Sequence, residues 1–241
     1  MDQFKKITEK TEEIKPAITT RTTSITCDPL VLRKNKVMFE CDRETVTDQF
    51  KILRTQVMNR MKKIGANTLL VTSANACEGK TFTAINLAVG LSSVLDYTVL
   101  LVDTDLRSPS IHDYIGLDTG RGLSDYLLKK MEIPDLLIKP GIGKLVILPS
   151  GKPLPNSAEF LGGSEMEDLI HEMKKRYSDR FIIFDSSSLL TSADPLELSR
   201  FVDCVLLVVE AEKTTAAHLK RALDLLEGRT IIGIVINKDK A

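Results

Sequence analysis

Thr68-Leu69-Leu70-Val71-Thr72 runs directly into Ser73-Ala74-Asn75-Ala76-Cys77-Glu78-Gly79-Lys80-Thr81, and the reading of that junction decides the fold. The first five residues form an apolar run of strand length. The next nine are mostly small or polar and end in Gly-Lys-Thr. Phe82-Thr83-Ala84-Ile85-Asn86-Leu87-Ala88-Val89 then reads as a buried helix. A strand, a loop and a helix start in that order aim free backbone N–H groups and a positive helix end at an anion. Lys80 adds a full charge for the β- and γ-phosphates of a nucleotide, and the Thr81 hydroxyl suits Mg²⁺.

Gly-Lys-Thr alone is a weak signal, and the phosphate-loop pattern asks for Gly where this chain has Ala74. Two further segments strengthen it. Leu100-Leu101-Val102-Asp103-Thr104-Asp105-Leu106-Arg107 and Phe181-Ile182-Ile183-Phe184-Asp185 are also apolar strands that end in acids. Strands are expected at 67–73, 98–103, 145–149, 180–185, 203–210 and 230–237. Helices are expected near 79–94, 122–130, 164–177, 194–201 and 213–227. This alternation predicts an α/β fold, a mainly parallel sheet with helices on both faces. Ligands bind such sheets at the carboxyl ends of the strands, where the Gly-Lys-Thr loop, Asp103, Asp185 and Asn237 all fall. The prolines of 149–156 mark a loop.

Upstream, Val46, Phe50, Leu53, Val57 and Met61 recur at helical spacing and predict a long amphipathic helix over 45–64. Residues 1–44 are richer in Thr, Lys and Glu. They are expected to form a flexible segment, with a short helix over 5–14, ahead of a domain spanning 45–241.

Composition narrows the function classes. The 241 residues carry 33 Lys+Arg against 33 Asp+Glu, so no basic surplus points to nucleic acid. No apolar run reaches membrane-spanning length, and no apolar signal region follows Met1, which predicts a cytoplasmic protein. The four cysteines, Cys27, Cys41, Cys77 and Cys204, form no Cys-x-x-Cys, and His112, His171 and His218 are scattered. Cys204 reads as a small core residue.

Leu101-Val102-Asp103-Thr104-Asp105-Leu106-Arg107-Ser108-Pro109 resembles the second Walker-type motif of bacterial tyrosine kinases, P-loop proteins of exopolysaccharide and capsule loci related to the MinD/ParA ATPases. Asn86-Leu87-Ala88, Gly122-Leu123-Ser124-Asp125-Tyr126-Leu127 and Leu148-Pro149-Ser150-Gly151 are similar to the same family. The resemblance covers about residues 46–238. It implies an ATP-dependent protein-tyrosine kinase that uses Mg²⁺ and regulates exopolysaccharide or capsule synthesis or export.

The resemblance also implies roles. Lys80, Asp103, Asp105 and Asp185 would be catalytic. Thr81, Asp103 and Asp185 would hold the metal. Ala76, Cys77, Glu78, Gly79, Lys80, Thr81 and Phe82 would cradle the cofactor. Asp103 would take the tyrosine proton, and Arg107 would orient the acidic pair or contact phosphate. Asn237 matches the position of a base contact. Asn237-Lys238-Asp239-Lys240 is not a guanine-reading Asn-Lys-x-Asp, so ATP is expected over GTP. The family's Glu-x-x-Arg-x-x-Arg assembly motif corresponds to Asp48, Lys51 and Arg54, implying a homo-oligomer. The implied activator is a membrane polysaccharide co-polymerase or chain-length determinant, which would bring the protein to the inner membrane.

Departures from the family keep other readings open. Cys77 stands where the family has Gly. Ser186-Ser187-Ser188 replaces a proline-containing loop after Asp185. No C-terminal tyrosine cluster follows Asn237 in this sequence, so autophosphorylation is the doubtful part of the expected activity. The alternatives are a MinD/ParA-type ATPase switch controlling self-association, or a nucleotide-binding module with impaired catalysis.

Overall fold

The apolar strands build the sheet as their composition requires. A computed structural model describes residues 22–37, 44–94, 97–117, 120–176 and 180–239. In chain order the strands are β1 (Thr23–Ser24), β2 (Thr68–Ser73), β3 (Thr98–Asp103), β4 (Ile138–Lys139), β5 (Leu145–Leu148), β6 (Arg180–Asp185), β7 (Cys204–Glu210) and β8 (Ile231–Asn237). They form one sheet in the order β1-β4-β5-β3-β6-β2-β7-β8. Every pairing is parallel except β4 with β5.

The helices are α1 (Pro29–Lys34), α2 (Glu44–Lys63), α3 (Lys80–Ser92), α4 (Ile111–Ile115), α5 (Leu123–Leu127), α6 (Ser157–Leu161), α7 (Ser164–Arg176), α8 (Asp194–Leu198) and α9 (Ala216–Leu225). Side-chain alternation along each strand feeds two cores. Leu69, Val71, Val99, Leu101, Phe181 and Ile183 pack with Val57 and Met61 of α2 and the apolar side of α3. Leu70, Leu100, Val102, Ile182 and Phe184 pack with α5, α7, α8 and α9 through Leu123, Met166, Leu169, Leu198 and Ala222. Strands covered on both faces are the structural meaning of continuous apolar runs.

The N-terminal region differs from expectation. Residues 22–37 belong to the domain and not to a separate flexible segment. β1 extends the sheet beyond β4, and Cys27, Leu32 and Val37 are buried in the core on the α2 and α3 side. Asp28 caps α1 by accepting from the Leu30 N–H at 2.8 Å, with Pro29 opening the helix. The Asn35 amide donates to the carbonyls of Asp113 and Tyr114 at 3.0 and 2.9 Å. The helix expected over 5–14, Cys41 and Tyr177 lie outside the described residues. The stripe expected on α2 is graded. Val57 and Met61 are fully buried, Phe50 and Leu53 partly so, and Val46 is exposed.

Candidate active site

β2 stops at Ser73, and the chain turns through 74–79 before α3 begins at Lys80. Gly79 sits at φ +94°, and a Cβ there would lie 2.0 Å from the Asn237 amide nitrogen. Only glycine fits both demands. Cys77 also has positive φ, at 63°. Its predicted replacement of a glycine therefore falls where a side chain strains the backbone, by about 1–2 kcal/mol. Ala74, the other departure, is buried without positive φ and is accommodated.

The loop is held from behind. The buried Glu78 carboxylate accepts from the Asn75 N–H and side-chain amide, both at 2.8 Å, and from the Thr214 hydroxyl at 2.5 Å. The Asn237 amide donates to the Glu78 carbonyl at 2.9 Å, and Lys238 Nζ donates to the Cys77 carbonyl at 2.7 Å. The Glu78 side chain thus braces the loop. Meanwhile the N–H groups of Ala76, Cys77, Glu78 and Gly79 donate to no group among the described residues. Unpaired donors around a helix start form an anion cradle.

The acids arrive from neighbouring strands. Asp103 and Asp185 are register partners at the carboxyl ends of β3 and β6, and Val71 of β2 pairs with Asp185 on its other side. Lys80 Nζ lies 3.1 Å from Asp105 Oδ2 and 3.4 Å from the Thr81 hydroxyl. Asp103 accepts from the Asp105 and Ile111 N–H groups at 3.1 and 3.2 Å. The Asp105 carboxylate also accepts from the Ser108 N–H at 3.0 Å.

Asp185 is different. It is fully buried, and neither carboxylate oxygen has a hydrogen-bond partner among the described residues. Burial pushes its carboxyl up to about 7, partly offset by the Lys80 charge and the nearby Thr81 hydroxyl. Burial, then the Asp185 charge, also holds the Asp103 carboxyl well above the usual carboxylate range. Burial would lower the Lys80 ammonium, but the charges of Asp185, Asp105 and Asp103 outweigh it and raise it.

The residues fit a hard divalent cation. Among the described residues no three His, Cys, Asp or Glu side chains converge on one point. Mg²⁺ needs only one or two protein ligands when phosphates and water complete its shell. An orphaned buried carboxylate beside a threonine hydroxyl at a phosphate cradle is such a donor set.

Other expected residues land elsewhere. Arg107 engages neither Asp103 nor Asp105. Its Nε donates to the Ser157 hydroxyl at 3.1 Å and lies 3.5 Å from Asp194. Phe82 packs edge-on against Phe50 of α2, with ring centroids 5.6 Å apart, and ties the cradle to that helix. On α2, Asp48 and Lys51 form an exposed ion pair at 2.8 Å. Arg54 donates to the Gly90 carbonyl of α3 at 3.2 Å, so it braces its own domain. Sequence reading passed over Thr104, Ser110, Ser157, Asp194 and Thr214. The Thr104 hydroxyl donates to the Asp185 carbonyl at 2.6 Å, and Ser110 reaches the Thr81 hydroxyl at 3.5 Å. Ser-Ala-Asp-Pro at 192–195, a helix start, was the one available signal for Asp194.

The CobQ/CobB/MinD/ParA nucleotide binding domain matches residues 69–241. Tyrosine-protein kinase YwqD of Bacillus subtilis is 31% identical over 212 residues, covering 87% of this chain and 88% of its own length. The chain belongs to the bacterial tyrosine kinases of this nucleotide-binding family. Solved structures superpose along most of the chain. The chimerical protein CapA2B2 shares 27% identity at a TM-score of 0.79, covering 91% of this chain and 94% of its own. The kinase domain of the Escherichia coli tyrosine kinase ETK shares 26% at 0.75, with 89% and 88% covered. The septum site-determining protein MinD of Pyrococcus horikoshii, at 22% and 0.60 with 72% of each chain covered, shares the fold.

Proposed function

We propose that this chain transfers the γ-phosphoryl group of Mg·ATP to protein tyrosine hydroxyls. The observation that carries the reading is Asp185, buried without a partner between Lys80 and Asp103 at the mouth of the cradle. The N–H groups of 76–79 and Lys80 bind and orient the phosphates. Thr81, Asp185 and Asp103 would hold Mg²⁺, which would supply neutralisation of phosphate charge. Asp103, held by two N–H groups and pushed up towards neutrality, accepts the tyrosine proton as the hydroxyl attacks. Asp105 keeps Lys80 aimed until phosphate replaces it. Phosphoryl transfer needs mainly such positioning and charge neutralisation. ATP is preferred because the Asn237 segment lacks the guanine-reading pattern.

The setting is exopolysaccharide or capsule synthesis, with a membrane co-polymerase as activator. The named kinases and a chain without a long apolar helix among the described residues support this. Cytoplasmic placement at the inner membrane would then come through the partner. Self-assembly would use the exposed Asp48 and Lys51, with Arg54 available only if it leaves Gly90.

The test is transfer of label from γ-labelled ATP to a tyrosine-containing acceptor peptide in Mg²⁺. Labelled phosphotyrosine is expected. Phosphate release without phosphotyrosine would replace the kinase reading with an ATPase switch.

A further inference from the structure

Three side chains from three elements meet beside the phosphate end and have no part in the scheme above. They are Arg107 in the turn after β3, Ser157 at the first residue of α6 and Asp194 at the first residue of α8. The Ser157 hydroxyl donates to Asp194 Oδ2 at 2.6 Å. Arg107 Nε donates to the same hydroxyl at 3.1 Å and lies 3.5 Å from the same carboxylate oxygen. Ser157 and Asp194 are fully buried, and Asp194 Oδ1 has no hydrogen-bond partner among the described residues. The Arg107 side chain is 49% exposed. Only its Nε edge is occupied, and its two terminal amino groups engage no described residue.

A tie between two short helices does not require this arrangement. Burying a carboxylate costs several kcal/mol, and an apolar pair of similar size would join α6 and α8 as well or better. What the buried acid does supply is a fixed orientation for a guanidinium. Anchored through Nε, the planar fork presents its two amino groups outward, the geometry that matches phosphoryl oxygens. The turn that carries it is fixed too. Asp105 accepts from the Ser108 N–H at 3.0 Å, and the Leu154 N–H donates to the Leu106 carbonyl at 2.9 Å. Asp105 in that same turn lies 3.1 Å from Lys80 Nζ, so Arg107 stands two residues from the phosphate-facing lysine's partner.

We propose that Asp194, acting through Ser157, is a positioning residue that locks Arg107 so that its terminal amino groups receive the oxygens of the phosphoryl group in transfer. The proposal rests on the reading of the site as one that transfers phosphoryl groups. It assigns Arg107 to the transition state more than to the bound nucleotide, because charge spreads over the equatorial oxygens as the phosphoryl group moves.

The experiment measures affinity for Mg·ADP and for Mg·ADP with aluminium fluoride, a mimic of the phosphoryl group in flight, by calorimetry. The readout is the ratio of the two affinities. Wild type should prefer the fluoride complex. Arg107→Ala and Asp194→Asn should each reduce that preference by roughly 10- to 100-fold, the scale of one preorganised donor. The double variant should be no worse than Arg107→Ala, because both changes remove one device. Ser157→Ala should lose several-fold, and it keeps the test open if Asp194→Asn does not fold. Arg107→Lys should not restore the ratio, since an ammonium cannot keep the anchor and offer a fork. A wild type without the preference, or an unchanged ratio in Arg107→Ala, Asp194→Asn or Ser157→Ala, would overturn the proposal. Failure of tyrosine labelling with the ratio still sensitive would remove the kinase reading and leave this one standing.

Discussion

Asp185 and Asp203 sit at opposite ends of the same sheet and have opposite surroundings. Asp203 precedes β7 at the amino end. Its carboxylate accepts from the Asn67 and Thr68 N–H groups at 3.0 and 3.1 Å, from the Thr68 hydroxyl at 2.7 Å and from Lys174. Burial alone would raise it, but the Lys174 ammonium, the Thr68 hydroxyl and the two N–H groups hold it below the usual carboxylate range. Asp185 ends β6 with neither oxygen in a hydrogen bond of normal geometry, only the Lys80 charge and the Thr81 hydroxyl nearby, and is pushed up to about 7. One acid closes a network and holds the fold together. The other leaves a network open for a ligand to close, which is where chemistry is found.

Removing each acid should therefore do opposite things. Asp185→Asn should cut phosphotransfer by about 10³-fold or more, because it deletes charge at a metal and phosphoryl site. The same variant should stabilise the ligand-free protein. The folded-state value of Asp185 lies above that of the unfolded chain, so its ionisation costs stability above pH 7. That cost shrinks as pH falls from 7 and is gone only below about 4, where the carboxyl is protonated in the folded and the unfolded chain alike. Melting scans without ligand should show Asp185→Asn above wild type by about 4–10 °C at pH 8, with a smaller gap at about pH 5 and none at about pH 3. A lower melting point at pH 8 would mean that Asp185 has structural partners after all.

Asp203→Ala should show the reverse pattern. It strands two N–H groups, a hydroxyl and a lysine, and should cost about 1–3 kcal/mol in denaturant unfolding. The site is partly exposed, which keeps the loss towards the lower figure. Phosphotransfer per folded molecule should stay near wild type. Loss of activity without loss of stability would erase the contrast.

The cysteines repeat the comparison on a smaller scale. Cys204, beside Asp203, donates to the Thr68 carbonyl at 3.4 Å and is pushed up to about 12 by burial. Cys77 is exposed on the phosphate loop, next to unpaired N–H groups. Alkylation with peptide mass mapping should label Cys77 several-fold faster than Cys27 or Cys204, and Mg·ATP should protect it. Equal labelling with and without nucleotide would put Cys77 outside the phosphate site.

Most of this architecture was legible in the sequence, for physical reasons. Six strands and five downstream helices stood out because long apolar runs and helical periodicity carry their own signal. β1, β4, α1, α4 and α6 did not; these strands have two residues and these helices five or six, while α5 and α8, equally short, were read as longer helices over 122–130 and 194–201. Residues 22–37 were missed because the buried Cys27, Leu32 and Val37 recur at neither strand nor helix spacing, and the apolar run Leu30-Val31-Leu32 is too short to show a period. At the site, Lys80, Thr81, Asp103 and Asp185 were readable because each ends a strand or starts a helix. The brace from Glu78 to Thr214 spans 136 residues, and no local pattern announces it. Arg107 was visible as a motif residue, but its destination was set by Asp194 and Ser157 from distant helices. Arg54 was read as part of an assembly motif, and no local pattern announces its hydrogen bond to the Gly90 carbonyl.

The central claim is that the partner missing from Asp185 is a metal ion carried in with nucleotide. Calorimetric affinity for ATP, measured with Mg²⁺ and with the metal chelated, tests it in wild type and in Asp185→Asn. Mg²⁺ should strengthen ATP binding by about tenfold or more in wild type and by much less in the variant. An equal gain from Mg²⁺ in both proteins would contradict the account.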